Sequence, residues 1–270
     1  MRMCACRGTA GFAHVSCLEE QAKILVAEAN ENHSDDNQWH RWHTCGLCEQ
    51  RYHGVVYCAL GWACWKTYLG RPETHTARSL AMTVLGSSLR SAGHYEDALS
   101  VQEAHYSILR RIGASESNIL APQGNLANTY AELGRLEEAL SMRRDVYASH
   151  LKIYGDEHPG TLLEADNYAN DLLRLQRFEE AKSLMLKMMP VARRVLEENH
   201  QTTIRMRWFY ARALYEDADA TLDDFREAVN MFEDLARTAR RVFGGSHPLT
   251  TEIEQTLRTS RAALRARETH

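Results

Sequence analysis

Cys4, Cys6, His14, Cys17, Cys45 and Cys48 are spaced as metal ligands are spaced. Two cysteines two or three positions apart can put both thiolates on one Zn2+ at about 2.3 Å, and a second pair from farther along the chain completes the tetrahedron. A complete set of protein ligands leaves no position open for water or substrate, so the chemistry expected is structural stapling and not catalysis. The chain has seven cysteines, all before residue 65. An odd number crowded at one end of an otherwise ordinary composition points to zinc over disulfides, and to a reducing, cytoplasmic setting. His40 and His43, on either side of Trp42, are spare donors for a site short of ligands.

The order of these residues resembles the last six ligands of a RING-CH (RING-variant) zinc domain: Cys4-x-Cys6, then His14-Val15-Ser16-Cys17 after a gap of seven residues, then Cys45-Gly46-Leu47-Cys48. Ligands of such domains interleave. The resemblance therefore implies one complete site from Cys4, Cys6, Cys45 and Cys48, and half of another from His14 and Cys17. The first ligand pair of the family has no counterpart, because only three residues precede Cys4. Where the family's ubiquitin ligases carry a tryptophan soon after the sixth ligand, this chain reads Leu18-Glu19-Glu20-Gln21. Much of the surface that would grip a ubiquitin-conjugating enzyme is thus missing.

The elements that must position these ligands are helical. Leu18, Ala22, Leu25 and Ala29 recur at helix spacing over 18–32, and the polar stretch from Asn32 to Gln38 reads as a loop. Residues 52–69 form the most apolar run, but it is shorter than the roughly 20 residues a membrane crossing needs, and it contains His53 and Lys66. It is expected to be a helix buried on all sides, with Cys58 and Cys64 in the core, sealing a repeat array on one side and receiving the zinc module on the other.

Beyond residue 75 the chain repeats. Ala98, Ala139, Ala181 and Ala228 occupy one position, in steps of 41, 42 and 47 residues. Each follows by three residues a larger apolar side chain: Tyr95, Leu136, Phe178 or Phe225. A small residue suits the point where two helices of a hairpin cross most closely, and the larger one fills the space between hairpins. Such periodicity marks a helical repeat array. Hairpins are expected over about 77–112, 119–153, 161–197 and 202–243, with an Arg-rich capping helix from Thr250 to Arg267. The fourth has a lengthened acidic turn between Glu216 and Asp224.

These hairpins resemble tetratricopeptide repeats of the long, kinesin light chain type. The connections Tyr154-Gly155-Asp156-Glu157-His158-Pro159-Gly160-Thr161 and Phe243-Gly244-Gly245-Ser246-His247-Pro248-Leu249-Thr250 carry the likeness, and Leu196 to Thr202 is a degraded copy. Each stops one helix near Gly, bars its continuation with Pro, and restarts with Thr as the expected cap. The resemblance implies a concave surface, lined by the first helix of each hairpin, that holds a peptide. Asn125 and Asn128 are matched there by Asn167 and Asn170; Ser87 and Arg212 take the corresponding place in the outer copies, and Arg174 lies one turn on. An amide can both donate to and accept from a peptide backbone. The Lys and Arg clamp of relatives that bind chaperone tails is not matched, since Gly124 and Asp166 occupy those positions.

A net charge of −4 argues against nucleic acid or anionic lipid as partner. No basic segment followed by an apolar stretch opens the chain, which argues against secretion. No nucleophile elbow, phosphate loop or dinucleotide fingerprint occurs. The expected fold is all-α: a tetratricopeptide-repeat helical solenoid over 75–270, a junction helix over 51–74, and a small RING-like zinc-binding module over 1–50. The expected function is a zinc-binding scaffold whose groove holds a protein or peptide partner. The alternative is a RING-CH-type ubiquitin ligase whose repeats recruit substrate.

Overall fold

The computed structural model describes residues 14–31, 38–46 and 49–269. Cys4, Cys6, Cys48 and the expected loop at 32–37 lie outside the described residues. Within them the fold is all-α, with a single isolated antiparallel bridge between Thr44 and Arg51. Contacts divide the chain into two compact units, residues 1–135 and 136–270.

The first unit contains α1 (Val15–Glu31), a short 3-10 helix (Trp39–Trp42), α2 (Gly54–Tyr68), α3 (Thr76–Ser91), α4 (Tyr95–Arg111) and α5 (Glu116–Glu132). α2 lies against α3, α3 against α4 and α4 against α5, while α1 and the 3-10 helix pack on α2. Trp42 anchors this last arrangement. Its ring is fully buried, meets Tyr68 edge-on at 6.2 Å, and shares a core with Ala22, Val26, Cys45, Leu60 and Cys64. The α2–α3 crossing is tight: a Cβ placed on Gly61 would come within 2.8 Å of the Ser88 Cβ and 3.4 Å of the Leu85 Cα. Gly86 plays the same part between α3 and α4, where a Cβ would meet Gln102 Cγ at 2.8 Å.

The expectation that α2 is buried on every side needs correction. Val56, Tyr57, Leu60 and Cys64 are buried, but Val55 remains 66% exposed and Trp62 43%. α3 covers one flank of α2, and α1 with the 3-10 helix covers another. The flank bearing Val55 and Trp62 stays open among the described residues. No helix there is long and apolar enough to cross a membrane.

The second unit contains α6 (Leu136–Tyr154), α7 (Pro159–Arg174), α8 (Phe178–Leu196), α9 (Gln201–Glu216), α10 (Leu222–Phe243) and α11 (Pro248–Glu268). Each helix packs on the next, and α7 also meets α9. Ala139, Ala181 and Ala228 here, like Ala98 in the first unit, are fully buried. Of the four larger residues that precede them, Phe225 is buried and Tyr95, Leu136 and Phe178 are half-buried. The lengthened turn at 216–224 ends in a reciprocal cap: Thr221 Oγ1 accepts from the Asp224 amide at 3.2 Å, and Asp224 Oδ2 accepts from the Thr221 amide at 2.8 Å.

The expected threonine caps are a second correction. The residues that cap these helices are histidines. His75, His158, His200 and His247 turn Nδ1 onto the amide two residues ahead, accepting from Ala77 at 3.1 Å, Gly160 at 3.0 Å, Thr202 at 3.2 Å and Leu249 at 3.2 Å. In three of the four, a threonine stands three residues after the cap, and Thr161, Thr203 and Thr250 are all turned inward and fully buried. Thr161 Oγ1 donates to the His150 carbonyl at 3.4 Å, and Thr203 Oγ1 to that of Ala192 at 3.5 Å, each tying its helix to the preceding one. Replacing a cap with alanine costs about 1 kcal/mol. His247→Ala should therefore lower the unfolding free energy of the full chain in urea by about that amount, whereas His247→Asn, which restores an acceptor, should lose less than half as much.

Candidate functional site

The first unit holds a cleft of 540 Å3 between the segment preceding α2, α2 itself, α3 and α5. Two groove residues expected from the sequence, Ser87 on α3 and Asn125 on α5, line it. Residues outside the repeats supply the opposite wall. A tight reversal at Cys45 builds that wall: the Cys45 amide donates to the Gln50 carbonyl and the Glu49 amide to the Cys45 carbonyl, both at 2.9 Å. Glu49 sits at φ +55°, and Tyr52 N donates to the His43 carbonyl at 2.9 Å. His43, Arg51, Tyr52 and His53 are thereby brought to the cleft beside Trp39.

The electrostatics of the cleft are one-sided. Arg51 and Arg90 are among its lining residues, and none of the lining residues is Asp or Glu. Neither arginine pairs with a carboxylate among the described residues, and the buried Nε of Arg90 has no hydrogen-bond partner. Burial raises the Tyr57 hydroxyl above its ordinary range, while both guanidinium groups and a hydrogen bond with Ser87 pull against that rise. Burial, with help from Arg51 and His40, pushes His43 down to about 4, so its ring is neutral at pH 7. His43 Nδ1 lies 3.0 Å from Thr44 Oγ1, so one of the two spare zinc donors already has a partner.

Asn128, on α5 one turn from Asn125, is half-buried and takes part in interactions of its own. In the second unit Asn167 and Asn170 are half-buried on α7, and Arg174 is exposed at its end. Arg212 is committed elsewhere: it forms a bidentate pair with Glu216 at 2.6 and 3.0 Å, and lies 5.2 Å from the Trp208 ring centroid. Arg51, Arg90, Tyr57 and Trp39 were not expected from spacing. The signal available was the alternation of aromatic and basic residues in Trp39-His40-Arg41-Trp42-His43 and Arg51-Tyr52-His53.

Of the six expected zinc ligands, His14 and Cys17 are exposed at the start of α1 and Cys45 is buried at the chain reversal. Among the described residues no three His, Cys, Asp or Glu side chains form a metal-binding group. The donor set suits Zn2+ in kind.

Asp166, at a position where chaperone-tail binders carry a cation, points into the interior of the second unit and is fully buried. Arg205 Nη2 lies 2.9 Å from Asp166 Oδ2 but off the line of a hydrogen bond, so neither oxygen is satisfied. Arg143, 1% exposed, is better matched: it reaches Asp171 Oδ2 at 3.2 Å and Glu164 Oε2 at 3.0 Å. Burial lifts Asp166 to about 7, against the pull of Arg205 and with the push of Glu164.

A tetratricopeptide repeat family model matches residues 123–160, 165–202 and 218–249. Among solved structures, the chain is similar to kinesin light chain nearly identical TPR-like repeats from Podosopora anserina, with 20% identity, a TM-score of 0.55, and coverage of 85% of this chain and 98% of that one. A second structure of those repeats gives 20% identity, a TM-score of 0.54, and coverage of 86% and 99%. No curated protein matches the chain. Residues 123–160, 165–202 and 218–249 thus match tetratricopeptide repeats, and the fold is like that of kinesin light chain-type repeats.

The position of Asp166 has a pH consequence. Its folded-state value, about 7, lies above the ordinary 3.8, so ionisation disfavours the folded state. The penalty is absent below about pH 4, grows as pH rises, and is complete above about pH 7. Asp166→Asn should accordingly be more stable than the parent at pH 8, by on the order of 3 kcal/mol, with the gap closing toward pH 4. Urea unfolding of both proteins across that range measures it.

Proposed function

We propose that this chain is a non-catalytic interaction protein whose repeats hold a peptide or protein partner. The observation that carries this reading is the match to tetratricopeptide repeats over three successive stretches, together with amides placed on the first helices, α5 and α7. In the first unit the contacting residues are Ser87, Asn125 and Asn128; in the second they are Asn167, Asn170 and Arg174, while the pairing of Arg212 with Glu216 takes it out of the expected set. Each amide contributes about 1 kcal/mol through a backbone hydrogen bond to the partner. The double variants Asn125→Ala/Asn128→Ala and Asn167→Ala/Asn170→Ala should each weaken partner capture about tenfold in quantitative pull-downs, with melting temperatures little changed. Retention of every partner by both variants would remove the support for this reading.

A second reading concerns the N-terminal segment, and the spacing of its cysteines supports it. Cys4, Cys6, Cys45 and Cys48 hold one Zn2+, with His14 and Cys17 as half of another set. The ion would supply no reaction; it would fasten residues 1–50 together, and binding of this kind contributes about 10 kcal/mol to folding small metal domains. Protein prepared under reducing conditions should contain one zinc per chain by elemental analysis. Cys45→Ser should release it while leaving most of the helical circular dichroism intact, and a metal-free parent with the same proteolytic resistance over residues 1–50 would refute the site. The stretches matched by the repeat model start at residue 123, so ubiquitin transfer rests on the zinc module alone. Discharge of a ubiquitin-conjugating enzyme that depends on Cys48 would favour it over scaffolding.

A further inference from the structure

We propose that the 540 Å3 cleft of the first unit binds a phosphorylated side chain on a partner peptide, with Arg51 and Arg90 as its two cationic arms. This rests on the reading of the chain as a peptide binder and adds the chemistry of what one site selects. The arms come from different elements: Arg51 closes the bridge with Thr44, and Arg90 lies in the last turn of α3. Both line the same cleft together with Tyr57.

Many arginines among the described residues are already engaged. Arg143, Arg177, Arg207, Arg212, Arg226, Arg240 and Arg261 all pair with carboxylates. Among the described residues Arg51 and Arg90 do not, and no Asp or Glu is among the residues lining the cleft. The buried Nε of Arg90 has no acceptor among the described residues, so its guanidinium is not neutralised from within the protein there. Guanidinium forks bind phosphate oxygens in pairs, and a phosphomonoester carries a charge of about −1.5 to −2 at neutral pH, close to the two positive charges available. A glutamate side chain would neutralise only one of them.

The remaining lining residues fit a peptide around that group. The Ser91 hydroxyl can donate to a further phosphate oxygen, and the Asn125 amide suits a peptide backbone. Trp39 and Tyr52 offer apolar walls to neighbouring side chains. The volume falls in the range of about 300–1,000 Å3 usual for ligand sites, much more than one phosphate fills, so flanking residues are part of what the cleft accommodates.

The test is fluorescence anisotropy on the full chain with a labelled pool of seven-residue peptides, degenerate except for a central phosphoserine. Matched pools carry serine or glutamate at the centre, and inorganic phosphate serves as competitor. The phosphoserine pool should bind at least tenfold more tightly than either matched pool. Arg51→Gln and Arg90→Gln should each abolish most of that preference; Arg51 is exposed, so its variant tests the site even where Arg90→Gln disturbs folding. Equal binding of the phosphoserine and serine pools, no binding of either, or an undiminished preference in Arg51→Gln would overturn the proposal. So would inorganic phosphate binding as tightly as the peptides. Because Asn167→Ala/Asn170→Ala lies outside this cleft, loss of partners there with phosphopeptide binding intact, or the reverse, tells the failure of one reading from that of the other.

Discussion

The constraint on which both units depend is the closeness with which consecutive helices cross. A helix can bury a wide apolar stripe against its neighbour only where one of the two presents almost no side chain at the crossing point. Ala98, Ala139, Ala181 and Ala228 provide that in the repeats, and Gly61 and Gly86 provide it around α3. With the separation fixed there, larger residues such as Leu85, Met185 and Phe232 reach full burial on either side. The same closeness leaves little tolerance for polar atoms, so those admitted must find partners nearby. Thr129 donates to Gln102 at 2.6 Å for this reason, and Ser88 to the carbonyl of Leu85 at 2.8 Å.

Charge follows the same logic with less success. Arg143 is enclosed by the second unit yet has two carboxylates within reach, which makes it a fastener between α6 and α7. Removing one partner of such a set is far more damaging than replacing all of it with apolar residues. Asp166 is the opposite case, since its single cation is poorly aligned and burial dominates. A carboxylate held this way lowers stability at neutral pH. What it does is give the α7 interior a polar position that an apolar residue would have filled more cheaply.

Much of the helical architecture was legible in the residues, because small and large apolar positions repeat with a nearly constant step and the expected hairpin limits fall within a few residues of the helix ends. Two local readings were not. Threonine next to a proline turn is a habitual cap, and only the structure shows histidine in that role with threonine turned inward. The exposed flank of α2 escaped notice because composition tells how apolar a helix is but not how many neighbours it has. The cleft was legible only in part: Ser87 and Asn125 follow from the repeat, whereas Arg51 reaches it through a chain reversal that no periodicity announces. Arg51 and Arg90 are far apart in sequence and meet only after folding.

The histidine caps carry a consequence for how the helices hold together. Each depends on one lone pair, so all four rings must present an unprotonated Nδ1 and keep their hydrogen on Nε2. Stacking of His158 on Tyr154 at 4.7 Å and of His247 on Phe243 at 4.8 Å holds two of the rings in that pose. Four helix starts thus obey a single chemical condition. One imidazole, accepting at Nδ1, serves as the common latch between each of these turns and the helix it opens.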